Sequence, residues 1–252
     1  MYSSTAVFRS KVSNLQPMVT KNQIKLIKSL HQKKFRKEAG AFIVEGSKPV
    51  EELLGSSFEV MEIYAQGELL AQFPGAIEAS KADMERMTAL KTPPGVLAMV
   101  RIPSWSYSEE KGAIIALDGV SDPGNLGTLI RTADWFGITQ LVCSEDTVDE
   151  FNPKTVQASM GSLFRVRLFR CNLPLWLSEQ GLKVYGLDMA GESLYGHQQE
   201  RAVYVLGKES TGLSDAVRAE LTDTIKIPGK GMAESLNVGI AGALLMSELS
   251  RT

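Results

Sequence analysis

The chain has 252 residues, 44% hydrophobic and 22% charged, the make-up of a folded protein of one or two domains. No apolar run nears the ~18 residues of a membrane span. Cys143 and Cys171 lack CxxC spacing and fit a reducing compartment, and with only His31 and His197 besides they form no recognisable metal cluster. The net charge of −2 hides an asymmetry: residues 1–48 hold ten Lys/Arg against Glu38 and Glu45, a net of +8, and the remainder is acidic. A basic segment on an acidic body fits either a polyanion partner or a solvated helix face.

In chain order, residues 1–16 are serine-rich with Arg9 and Lys11 and no acid; they read as a frayed start rather than a transit peptide. Thr20 caps a predicted basic helix that runs to Gly40, with Ile24, Ile27 and Leu30 on one side. A buried strand AFIVEG, a helix over 47–54, strands at 61–66 and 76–79, a helix over 81–90 and a strand at 96–102 follow. This alternation predicts a small α/β domain over 1–104. The polar, aromatic stretch 105–112 reads as a linker. From 113 to 252 a second series alternates. Its predicted strands lie near 113–120, 139–143, 165–169, 183–188, 202–206 and 224–227, and its helices near 124–136, 153–160, 173–180, 213–220 and 234–250. That is the pattern of a compact parallel sheet.

Four stretches could carry chemistry. DGVSDPGNLGTLIRTADWFG (118–137) is a strand, a turn and a helix, the place where open α/β sheets hold ligands. Arg131 lies off its apolar stripe, one turn into the helix. It can face a phosphate or hydroxyl, or simply pair with Asp134. KTVQASMGSLFRV (154–166) reads as close packing of small residues. In VYVLGKESTGLS (203–214) Gly207 and Gly212 suit a backbone closing over a ligand. Glu209 there can bind Arg131 or a ribose, or serve as a helix-start carboxylate. This is not a P-loop, because Ala202 and Glu209 stand where that motif needs Gly and Ser/Thr. Finally, in IKIPGKGMAESLNVGIAGALLMSEL (225–249) Pro228 stops a strand and Gly229 and Gly231 form a loop that can take positive φ and let a ligand approach the backbone. Ser235 is expected to cap the last helix, on which Gly239, Gly242 and Ala243 keep one face small.

Together, PGNLGTLIRTADWFG, ASMGS, LGKESTGL and IPGKGMAESLNV, in this order and spacing, closely resemble the SpoU/TrmH family of SPOUT-class RNA ribose methyltransferases over about 113–250. KKFRKEAGAFIVEGSKPVEELL and TPPGVLAMV resemble the substrate-binding domain that precedes the catalytic one in many members, which looks like a ribosomal-protein RNA-binding fold. The resemblance implies an α/β knotted (deep trefoil) catalytic domain, binding of S-adenosylmethionine (AdoMet), and methyl transfer to a ribose 2′-OH, with ribosomal RNA favoured. Transfer RNA methylation, or a non-catalytic RNA-binding assembly factor, are the alternatives. Carried over, Gly207, Ile227, Pro228, Gly231, Ser235 and Leu236 hold AdoMet. Arg131 meets the 2′-OH, Asn125 and Glu209 orient it, and Ser235 and Asn237 complete the polar set. Lys33, Lys34, Arg36 and Lys37 grip RNA. The resemblance further implies a cytoplasmic homodimer formed through the C-terminal domain, with no metal and no membrane contact. Gly229 departs from the family pattern, standing where many members have methionine, and Gly239 often appears there as serine.

Overall fold

The computed structural model describes residues 18–109, 111–197 and 201–251. Arg9, Lys11 and the serine-rich start lie outside them. The elements run α1 (Lys21–Ser29), α2 (Lys33–Ala39), β1 (Ala41–Glu45), α3 (Ser47–Leu54), β2 (Val60–Ala65), α4 (Leu69–Gln72), β3 (Ile77–Glu78), α5 (Lys81–Met87) and β4 (Val96–Arg101). The second half holds β5 (Ile114–Leu117), α6 (Pro123–Trp135), β6 (Gln140–Ser144), α7 (Pro153–Ser159), β7 (Arg167–Cys171), α8 (Leu173–Glu179), β8 (Lys183–Ser193), β9 (Ala202–Leu206), α9 (Asp215–Arg218), β10 (Asp223–Lys226) and α10 (Val238–Leu249).

Two sheets result. The first has the order β1-β4-β2-β3; β4 runs antiparallel to both neighbours and β3 parallel to β2. The second is parallel throughout, in the order β10-β8-β9-β5-β6-β7. Its central strands, such as Ile114–Leu117 and Ala202–Leu206, are buried on both faces, as their unbroken apolar runs require.

The predicted basic helix is two helices. α1 starts with a capping box, in which the Thr20 side chain accepts from Gln23 N and Gln23 reaches back to Thr20 N. It stops at Leu30, and the chain restarts from Gln32 in extended conformation. The break turns Arg36 inward, where its Nη1 donates to the Leu30 carbonyl at 2.8 Å. Its Nε and Nη2 donate to Asp149 Oδ2 at 3.2 and 2.6 Å, across to the second half of the chain. Arg36 is 2% exposed, so its assignment to RNA gripping is corrected: the guanidinium is a clamp between the two halves. Lys33, Lys34 and Lys37 stay exposed.

The stretch read as a linker has no regular structure but is docked. Trp105 packs against Phe58 and Phe151, and Tyr107 against Phe169 and Trp176. With Phe42 on Phe151 and Phe58 on Phe164, the Trp105 cluster joins both sheets in one core, while Tyr107 packs into a second core of the C-terminal half. The small face of α10 packs inward as well: a Cβ on Gly242 would lie 2.2 Å from Leu129 of α6.

Candidate functional site

The carboxyl ends of β9 and β10, and the middle of β8 where its pairing with β9 stops at Gly186, open into a cavity of about 540 Å³. β8 contributes Leu187, Asp188 and Met189; β9 contributes Leu206 and Gly207; the segment after β10 contributes Ile227, Pro228, Gly229 and Gly231. Val238, Ala241 and Leu244 of α10 add an apolar wall. The turn after β9 is pinned by Lys208 N to Gly212 O at 3.0 Å and the reciprocal bond at 2.8 Å. A Cβ on Gly207 would lie 2.4 Å from the Gly212 carbonyl carbon, so this close turn needs glycine. Gly229 and Gly231, by contrast, do not take positive φ; they leave open space at the mouth.

All six residues expected to hold AdoMet, namely Gly207, Ile227, Pro228, Gly231, Ser235 and Leu236, line this cavity, as does Glu209. Ser235 lines it as a loop residue. The expected cap is corrected to Asn237, whose Oδ1 accepts from Gly239 N at 2.9 Å and Ile240 N at 3.4 Å. A loop placed before the cap keeps Ser235 free of the helix, and Asn237 sits where its short amide can satisfy two unpaired N–H groups.

A chain of side-chain hydrogen bonds leads away from Glu209. Asn125 Nδ2 donates to Glu209 Oε1 at 2.5 Å, and Asn237 Nδ2 donates to Asn125 Oδ1 at 2.9 Å. The starts of α6 and α10 and the β9 turn are thereby locked to one another. Asn125 and Glu209 do not touch Arg131, which corrects the expected orienting role within one copy. Arg131, expected one turn into the helix, stands in the third turn of α6, exposed, outside the cavity lining. It lies six residues beyond Asn125, ~9 Å along the axis at 1.5 Å per residue. Asp134, its alternative partner, is held elsewhere: Arg165 donates to it through Nε at 3.1 and 3.0 Å and Nη2 at 2.8 Å.

Sequence reasoning missed Leu187, Asp188 and Met189. Asp188 accepts from Ala190 N at 3.1 Å and from Arg218 Nη2 at 2.7 Å, and these bonds hold its carboxyl below the usual range. The three follow the last β8 residue paired with β9, Gly186, and could be placed only once β8 is known to lie between β9 and β10. Among the described residues, no cluster of His, Cys, Asp and Glu could hold a metal ion, and no helix is long and apolar enough to cross a membrane.

A profile described as the SpoU rRNA Methylase family matches residues 112–247, and one described as an MRM3-like substrate binding domain matches 21–98. The chain is 37% identical over 243 residues to the Bacillus subtilis 23S rRNA (guanosine(2553)-2′-O)-methyltransferase RlmP, covering 91% of this chain and 96% of that protein. Its fold matches a TrmH-family structure from Porphyromonas gingivalis with a TM-score of 0.83 at 38% identity, over 92% of this chain and 98% of that one. It also matches the AdoMet-bound rRNA methyltransferase from Sinorhizobium meliloti with a TM-score of 0.82 at 28% identity, over 92% and 95%.

Proposed function

The chain belongs to the SpoU rRNA Methylase family, and from that premise we propose that it transfers a methyl group from AdoMet to a ribose 2′-OH of ribosomal RNA, most directly 23S rRNA. The observation that carries this reading is the cavity between β8, β9 and β10, walled by the six residues expected for AdoMet and by Glu209, which is bonded through Asn125 to Asn237. The residues fit such a donor. Leu206, Val238, Ala241 and Leu244 offer an apolar wall to a purine, while Glu209 and the open backbone of Ile227–Gly231 offer polar partners. The volume lies within the ~300–1,000 Å³ of small-molecule sites.

AdoMet supplies a methyl group already activated on a positively charged sulfur. What the chain must add is alignment and help for the poor nucleophile. Arg131 is assigned to the 2′-oxygen. Its guanidinium stays protonated at any physiological pH, so it holds the oxygen and stabilises the growing negative charge rather than accepting the proton. That proton leaves to water or to an RNA phosphate. Asn125 fixes the Glu209 carboxylate at the mouth, and Asn237 fixes Asn125. Because Arg131 stands outside its own cavity, a second copy is assigned to complete the site. Exposed Trp135 (84%) on the outer face of α6 and Ile240 (53%) on α10 support packing of two C-terminal halves there. The trefoil knot that the family resemblance implies is assigned to this C-terminal half. The enzyme is assigned to the cytoplasm, with residues 1–104 gripping RNA and 113–252 carrying the transfer.

The test is to map ribose methylation in 23S rRNA from cells lacking the gene, before and after incubation with protein and AdoMet. The guanosine corresponding to that in the relative's name is the first position to read. Methylation of transfer RNA alone, or of no RNA, would overturn the proposal. Two further results are expected. Gly207→Ala drives a methyl group into the Gly212 backbone and is expected to weaken AdoMet binding at least tenfold, about 1.4 kcal/mol, by calorimetry. Replacing Lys33, Lys34 and Lys37 with Gln is expected to weaken all RNAs alike and to flatten the salt dependence of binding by about 0.7–0.9 log units for each phosphate no longer neutralised.

A further inference from the structure

Arg131 and Asp134 lie three residues apart on α6, a spacing at which opposite charges on a helix are neighbours and pair. Here the pair is open. Arg165, just before β7, takes Asp134 in a fork, with Nε and Nη2 both on the carboxylate at 2.8–3.1 Å. Its remaining Nη1 donates to Glu52 Oε2 on α3 at 2.5 Å. Glu52 in turn lies on Gly161 of the ASMGS stretch, where an added Cβ would come within 3.1 Å of its stem. Arg131 makes no hydrogen bond or ion pair among the described residues.

We infer that Arg165 is a positioning residue for methyl transfer: by occupying Asp134 it keeps the Arg131 guanidinium free for the ribose, and through Glu52 it links that freedom to the docking of the N-terminal half. The inference rests on the role proposed for Arg131. Three features fit it. Partial burial pushes the Asp134 carboxyl up, but the hydrogen bonds from Arg165 and Ser162 outweigh that and hold it below the usual range, so it is a full negative charge. The two carboxylates raise the affinity of Arg165 for its proton. A planar fork satisfied on one side by α6 and on the other by α3 is a geometry that lysine cannot supply. The small residues of ASMGS then have a use beyond close packing, since Gly161, at φ +91°, makes room for Glu52 to reach the fork.

The experiment measures kcat at saturating RNA and AdoMet for the full chain and for Arg165→Ala, Arg165→Ala/Asp134→Asn and Arg131→Ala, at low and high salt, with AdoMet affinity measured separately by calorimetry. Freed Asp134 should pair with Arg131, so Arg165→Ala should lose two- to fivefold in kcat at low salt, the strength of an exposed helix ion pair. That loss should shrink at high salt, where such pairs are screened. The double variant should regain wild-type kcat, and AdoMet affinity should stay unchanged throughout. A general loss of fold would be shared by the double variant, so rescue separates the two causes. Wild-type kcat in Arg165→Ala, or a double variant no faster than Arg165→Ala, overturns the inference alone. Full activity in Arg131→Ala overturns it together with the proposed role of Arg131.

Discussion

Arg131→Ala is expected to lower kcat by about 10²–10³, or ~2.7–4 kcal/mol of transition-state stabilisation, while AdoMet affinity stays at the wild-type value. The size follows from the role proposed for Arg131, a charged donor to the developing alkoxide. The unchanged affinity follows from position, since Arg131 does not line the cavity. Stability should hardly move, because the side chain is exposed and makes no ion pair among the described residues. Arg131→Lys should recover only part of the rate, because a point charge cannot reproduce the planar fork. Rates and AdoMet titrations on the same samples check all three. A rate equal to wild type in Arg131→Ala would remove this residue from the reaction.

Arg36→Met is expected to be the most damaging single change to stability, costing about 3–5 kcal/mol and lowering Tm by roughly 10 °C. The methionine keeps much of the volume but strands Asp149, which is 14% exposed, and leaves the Leu30 carbonyl without its donor. A double change of Arg36 and Asp149 to apolar residues should cost less than Arg36→Met alone, since no buried charge is then left unpaired. The salt slope of RNA binding should stay at its wild-type value, in contrast to the exposed lysines beside it. Thermal unfolding and a salt titration separate these outcomes; a mild Tm change with a flatter slope would return Arg36 to the RNA surface.

The contrast between Arg36 and its neighbours shows where the sequence was readable. The glycine turn at Gly207 and the proline stop at Pro228 are local signals, set by φ preference or a missing N–H, and each lies where it was expected; the helix expected to open near 124 starts one residue earlier, at Pro123 after an Asp122 cap. Strand–helix alternation pointed to the parallel sheet for the same reason: apolar runs of four or five residues between polar helices have few other uses. Long-range pairing was not readable. Nothing around Arg36 distinguishes it from Lys37, because its partner lies 113 residues away. Strand order was equally hidden, and with it the contribution of β8 to the cavity. The helix cap was missed by two residues: Ser235 and Asn237 are both good caps, and only the packing of α10 on α6 decides between them.

The core cluster shared by both sheets bears on any attempt to retarget this enzyme. Grafting the substrate-binding half of a relative would transplant not a detachable handle but one side of a seam built from Arg36, Phe42, Glu52 and Phe58, each fitted to a residue of the other half. A hybrid that keeps the recipient's Asp149, Phe151, Phe164 and Arg165 needs all four matching donors to arrive together. Specificity and chemistry are therefore expected to be inherited as a block, with new targets gained more readily by recolouring exposed lysines than by exchanging modules.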